Sequence, residues 1–252
     1  YSEARAYHAI AIRAAHEAEC APLEAVARAR QSFAWGYDGQ WSQASQSILR
    51  ARAQASHLPQ PLPAWLALVE AEIAACLNQQ ARCFQALREA EAGSQLSNQE
   101  DPYWIGFDAS LALSYRGVCL SRLARHGHAS LLAQAQRSLQ EALGHLSPVL
   151  EDHSPRAPLS MPHNHSEMEL ARERRARYLI DLADISLQAG ELEAMTAYAL
   201  AALEHLSQTN SPVTVKRLIQ LRAHCHHWET ASSVHQLDQV LAARGITLLE
   251  HR

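Results

Sequence analysis

A chain of 252 residues is long enough to bury a sizeable core, and 48% hydrophobic with 19% charged residues is the composition of an ordinary globular protein. Set against 26 Asp and Glu, the 22 Lys and Arg leave a formal charge of −4, which excludes a basic nucleic-acid-binding surface as the main business of these residues. Only 9 Gly and 10 Pro interrupt a sequence dominated by Ala, Leu, Gln, Glu and Arg, the residues that lose least on entering a helix. Runs of β-branched and aromatic residues that would mark strands are missing, so the class expected is all-α.

Several global features narrow the setting. The five cysteines, Cys20, Cys76, Cys83, Cys119 and Cys225, are an odd number in helix-like surroundings, which fits buried free thiols in a reducing cytoplasm better than a disulfide framework. No apolar run approaches the roughly 20 residues of a membrane span, and no signal peptide opens the chain. Tyr1 stands where an initiator Met would, so an N-terminal portion is expected to have been removed. Lys216 is the one lysine; every other fixed cation is arginine.

In chain order, the first predicted helix covers about residues 2–19 and reads as the second half of a hairpin whose first half is missing. Tight turns follow at "GYDGQW" (36–41), "LNQQAR" (77–82), "ARHGHA" (124–129) and "QAGELEA" (188–194), each between two amphipathic stretches. A small or apolar pattern recurs just past each turn, beginning at Gly39, Ala81, Gly127 and Gly190, so that the second helix of each pair packs closely on the first. The spacing of these units is longer and less regular than the roughly 34-residue tetratricopeptide period. The segment 146–166, "LSPVLEDHSPRAPLSMPHNHS", carries four prolines and is predicted to be a loop that interrupts one superhelix. Two closing helices, near 213–227 and 232–244, start after Ser211-Pro212 and at Ser232. The expected architecture is a single α-solenoid over residues 1–252: first hairpins over 1–145, the proline-rich loop, a further hairpin over 167–210, and capping helices over 211–252.

The segment "DPYWIGFDASLALSYRGVCLSRLARHG" (101–127) is the most informative. On a helical wheel Trp104, Asp108, Leu111, Tyr115 and Arg122 share one strip, while Gly106, Ser110, Ser114, Gly117 and Ser121 form a line of small residues opposite. A third line holds Ile105, Ala109, Ala112, Cys119 and Leu123. Two buried faces, one of them small, describe the inner helix of a stacked hairpin, whose remaining strip would face a concave surface. "PAWLALVEAEIAACL" (63–77) repeats the design, with alanines on one side and Trp65, Val69, Glu72 and Cys76 on the matching strip. Farther along, Arg174, Tyr178 and Asp181 fall on the equivalent strip. Trp65, Glu72, Trp104, Asp108, Tyr115, Arg122, Arg174, Tyr178 and Asp181 are therefore the candidate groove residues, since aromatic walls with a few charges suit a small molecule or peptide. The competing reading is packing: large aromatics on helices are more often core, and charged neighbours more often pair with each other.

Catalytic and metal signatures are weak. "AHCHHW" (223–228) places His224 and His227 three apart on one helical face, and "HNH" (163–165) lies in the predicted loop; zinc wants three or four convergent ligands, so no metal is assigned. No Gly-rich phosphate loop, HExxH or G-x-S-x-G occurs, and neither a catalytic residue nor a cofactor is expected. Around "ARERRAR" (171–177) Glu169 and Glu173 interleave with the arginines, which makes a solvated, salt-bridged face the default and contact with phosphate the alternative.

The chain resembles the tetratricopeptide-repeat sensor region that follows the helix-turn-helix domain in many large bacterial transcriptional regulators. The match rests on the 101–127 segment with its Asp-Pro-x-Trp entry, on "RRARYLIDLADISLQAGELEAMTAYALAALEHL" (174–206), and on "RLIQLRAHCHHWETASSVHQLDQVLAARG" (217–245). It is diffuse and covers roughly residues 60–245. What it implies is a right-handed superhelix of antiparallel hairpins, cytoplasmic and non-catalytic, that takes a peptide, small molecule or protein in its concave groove and is able to form a homodimer. The sequence departs from the pattern in lacking a DNA-binding domain, so direct contact with nucleic acid is not implied for these residues, nor is a membrane. Two functions stay open: sensing of a ligand by a regulatory solenoid, and docking of a protein without any small ligand.

Overall fold

The computed structural model describes residues 1–94, 105–151, 163–207 and 211–246. It is 84% helix, with eleven α-helices and no strand among the described residues. The chain divides into two compact units, residues 1–138 and 139–252.

The first unit holds α1 (Ser2–Glu17), α2 (Ala21–Tyr37), α3 (Trp41–Arg52), α4 (Leu62–Cys76), α5 (Gln80–Ser94) and α6 (Ala109–Arg125); α7 (Leu132–Glu151) begins in it. Each of α1 to α5 packs on the next, and α2 also touches α4 while α4 touches α6. Helix α4 is therefore enclosed by its neighbours. Its sequence is apolar nearly all round, as a buried helix requires, and Leu62, Leu66, Ala67, Leu68 and Val69 are at most 1% exposed. Each of those leucines contributes about 2–3 kcal/mol by its removal from water. The alanine side of α4 and the small side of α6 are buried as the sequence pattern predicts: Ala64, Ala71 and Ala74, and Ser110, Ser114, Gly117 and Ser121.

The turns share one closure. After α1, α2, α4, α6, the second unit's first hairpin helix and the last helix comes a residue with positive φ: Glu19, Gly39, Asn78, Gly127, Gly190 and Gly245. The next backbone N–H then donates to the carbonyl five residues back, as from Gln40 to Trp35 at 2.9 Å, Gln79 to Ala74 at 2.8 Å and Glu191 to Ser186 at 2.9 Å. This is the Schellman arrangement, which satisfies carbonyls that the helix end would leave unpaired. It stops one helix and reverses the chain into the next.

A buried carboxylate ties three helices of this unit. Glu70 of α4 accepts from Arg52 Nε of α3 and Arg82 Nε of α5, both at 2.7 Å, and Arg82 also donates to Ser45 Oγ at 3.2 Å. With two guanidinium groups on it, the carboxylate is compensated for the loss of water.

In the second unit α8 (His163–Gln188) packs on α9 (Leu192–Leu206), α10 (Pro212–Ala223) on α8 and α9, and α11 (Ser232–Ala243) on α9. Its core is built around Met195, Ala199, Leu203, Leu218 and Leu237. Arg217 of α10 pairs with Asp181 of α8, and Arg222 grips both oxygens of Asp238 of α11, at 2.6 and 2.8 Å. That fork holds the Arg222 pKa above its ordinary value.

Three local readings change. Helix α7 runs through Pro148 to Glu151 and α8 opens at His163, so the proline-rich break is shorter than 146–166, and residues 152–162 lie outside the described residues. "HCHHW" is a 3-10 turn, His224–Trp228, that ends α10, so the three-apart spacing of His224 and His227 is not that of an α-helical face. Helix α6 begins at Ala109, not near residue 101, because Gly106 takes a positive φ of 62° and residues 105–108 are not helical.

Candidate functional site

Two of the nominated residues meet in the first unit. Arg122, in the last turn of α6, donates from Nη2 to Glu72 Oε1 of α4 at 2.6 Å and from Nη1 to Cys76 Sγ, one turn farther along α4, at 3.0 Å. Glu72 and Cys76 stand four apart and so share a face, which lets one planar guanidinium reach both. The Arg122 guanidinium carbon also lies 5.7 Å from the centre of the Trp41 ring, at the start of α3. Trp41 is held there by a close approach: a β-carbon on Gly36 would stand 2.6 Å from Cζ3 of that ring. A side chain from α3, two from α4 and one from α6 thus converge, each partly exposed.

The chemistry of this cluster favours recognition over reaction. Burial pushes the Cys76 thiol up to about 11, with Glu72 adding to the effect and Arg122 and Arg125 opposing it. Its sulfur is therefore protonated near neutrality and is a poor nucleophile. Deeper in the same unit, Cys119 is fully buried and its pKa is raised well above normal, first by burial and then by contact with the Cys83 thiol. The Arg122 charge is met by Glu72, and what remains at the surface is an ion pair beside an indole face. Such a cluster offers an aromatic plane and two opposite charges to a partner's side chains.

The other nominated residues go elsewhere. Trp65 is 6% exposed and stands edge-on to Phe33 of α2, with ring centres 6.4 Å apart, so it belongs to the core and is not the wall of an open groove. Asp108 is the N-cap of α6 and accepts the Leu111 N–H at 2.7 Å, a bond that satisfies one of the free donors at a helix start. Its exposed carboxylate is thus placed by the cap and not by the helical strip on which the wheel puts it. Tyr115 is half-buried, packed against the core cluster one heptad before Arg122. Arg174 and Tyr178, on α8 of the second unit, are 5% and 3% exposed, and Asp181 is the partner of Arg217. Trp104 lies outside the described residues. No group of three His, Cys, Asp or Glu side chains able to hold a metal ion occurs among the described residues, and no helix among them is long and apolar enough to cross a membrane.

Sequence reasoning placed Cys76 beside Glu72 but did not bring Trp41 to Arg122. The available signal was Gly36, a glycine inside a helix just before an aromatic turn, which marks a close approach. Compared with known proteins, the chain matches no family model, no curated protein and no solved structure.

Proposed function

We propose that this chain is a non-catalytic helical-repeat interaction domain of the tetratricopeptide type, an α-solenoid of antiparallel hairpins that docks a peptide or a protein partner. Within that proposal its setting is the regulatory part of a bacterial transcriptional regulator, a placement that rests on the sequence resemblance alone. The observation that carries the reading is the packing order in the first unit, where α2 touches α4 and α4 touches α6, with the same closure at the turns that follow α2, α4 and α6. Contact between alternate helices is what stacking of hairpin on hairpin produces. Docking of a chain is preferred over capture of a small molecule because the large rings such a pocket would need are interior: Trp65 and Tyr178 are 6% and 3% exposed. Among the half-exposed side chains on α3, α4 and α6 are instead Trp41, Glu72, Tyr115 and Arg122, a set suited to a peptide's charges and apolar side chains.

The experiment is selection of peptides from a random display library on the purified protein, followed by titration of the selected sequences against wild type and against Trp41→Phe, Glu72→Gln and Tyr115→Ala variants. Affinities that fall by about tenfold or more, equivalent to roughly 1.4 kcal/mol, with helicity unchanged, support the proposal. Peptides that bind all variants equally, or a small molecule that remains bound in native mass spectrometry and is lost on Tyr115→Ala, would overturn it.

A further inference from the structure

Cys83 and Cys119 lie together where α5 packs on α6. Cys83 stands on the buried face of α5 with Ala86, Leu87 and Ala90, and Cys119 stands on α6 one turn before Leu123; all belong to one apolar cluster. The two sulfurs touch, within hydrogen-bonding reach of each other. Both are free thiols and both are 0% exposed. The remaining cysteines are placed differently: Cys20 and Cys76 are partly exposed, Cys76 against Arg122, and Cys225 belongs to the second unit.

We infer that Cys83 and Cys119 are a modification site, a thiol pair that a small-molecule disulfide oxidises to one intramolecular bond between α5 and α6. The surroundings select this product. Enclosure already holds the Cys119 thiol in its neutral form, and two sulfurs with no exposed surface leave no room for a bulky glutathione cap or a hydrated, charged sulfinate. The internal disulfide is neutral and apolar, so the same enclosure does not oppose it. The reaction balances in two exchanges. As the α5–α6 contact opens, one protein thiolate attacks a sulfur of glutathione disulfide and a glutathione thiolate leaves. The other cysteine, the nearest thiol, then attacks the protein sulfur of that mixed disulfide. The Cys83–Cys119 bond forms and the second glutathione leaves, so that two electrons have passed to the oxidant and two protons end on the glutathione thiols. Burial makes these steps slow, since attack needs an accessible thiolate. It does not make the product unfavourable. The bond closes a loop of roughly 35 residues and so restricts the unfolded chain. By linkage, a bond that stabilises the fold is stabilised by the fold to the same extent.

The test equilibrates the full chain in a glutathione buffer with about a tenfold excess of the reduced form, traps the free thiols with N-ethylmaleimide and maps the tryptic peptides. The same chain is also refolded from urea in that buffer, so that access to the sulfurs does not limit the outcome. Cleavage after Arg82, Arg88, Arg116 and Arg122 should release peptides 83–88 and 117–122 joined to each other. The linked protein should melt about 5 °C or more above the reduced one. Cys83→Ala and Cys119→Ala should each lose both the joined peptides and the rise in melting temperature; where either variant fails to fold, the wild-type map and melting shift decide. Both thiols still free after refolding, glutathione retained on Cys83 or Cys119 as a mixed disulfide, or a linked chain that melts below the reduced one overturns the inference.

Discussion

Arg122 and Glu72, fifty residues apart in sequence, meet at 2.6 Å and join the end of α6 to α4. Their side chains are 29% and 20% exposed, so the pair is screened less than a surface contact. Arg116 and Glu91 make the useful contrast: they meet at 3.1 Å with 47% and 52% of their side chains exposed. Removing the first pair by Arg122→Ala is expected to cost about 1–3 kcal/mol, because a partly buried carboxylate and the Cys76 sulfur lose their donor. Arg116→Ala should change stability by well under 1 kcal/mol, as surface pairs do. Urea denaturation in low and high salt checks both: the Arg122→Ala effect should persist at high salt, and a double-mutant cycle with Glu72→Gln should show coupling.

Gly93 of α5 is set against Ala64 of α4, where an added β-carbon would stand 2.7 Å from the Ala64 β-carbon. Two effects compete in Gly93→Ala. Helix propensity favours alanine by about 1 kcal/mol, whereas overlap with a well-packed core atom costs about 1–3 kcal/mol. Ala64 is 2% exposed and its β-carbon has no rotamer in which to escape, so overlap wins. The variant should be destabilised by about 1–2 kcal/mol, and Ala64→Gly should be less harmful in its background than in wild type. Denaturant midpoints of the four proteins decide the matter.

These relationships separate what the sequence made legible from what it did not. The reversals at Gly39, Asn78, Gly127 and Gly190 were readable because a positive-φ residue between two amphipathic stretches is a local signal. The small faces of α4 and α6 were readable for the same reason: periodicity is local and burial follows it. Asp108 and Trp65 were misplaced because their positions depend on facts a helical wheel lacks. The wheel continued a helix through Gly106, where the backbone leaves the right-handed region, and it assigned Trp65 to an inner strip without knowing that α2 would bring Phe33 onto it. Nor does a wheel show that the Trp41 ring covers Arg122, a contact between α3 and α6 that exists only once α4 lies between its neighbours.

Glu19 occupies the position that glycine fills in four of the other turns, with φ at 51°. A residue with a β-carbon pays about 1–2 kcal/mol there, and glycine returns part of that through its freer unfolded chain. Glu19 is exposed and lies just past the end of α1. Glu19→Gly is expected to stabilise the protein by about 0.5–1 kcal/mol, raising the melting temperature by about 2 °C for a chain of this size. Gly190→Ala, at φ 77°, should move stability the other way by about 1 kcal/mol or more. Calorimetry on the two variants checks the pair of signs.

Cys76 and Cys225 give the protein an alkaline edge. Burial is the main cause in both, and each thiol is moved from 9.0 to about 11. The fold therefore favours the protonated form more than the unfolded chain does. Below pH 9 both states hold the proton and the contribution to stability is complete; as pH rises toward 11 the unfolded state ionises first and the contribution is progressively lost. Urea midpoints should accordingly fall between about pH 9 and pH 11 more steeply for wild type than for a Cys76→Ala, Cys225→Ala double variant. Alkylation should follow the same course, since only the thiolate attacks. At pH 7.5 native Cys76 should react with iodoacetamide far more slowly than the same residue in urea, and the gap should narrow as pH approaches 11. Equal rates in the native and unfolded protein at pH 7.5 would mean that burial on α4 does not hold the Cys76 thiol protonated.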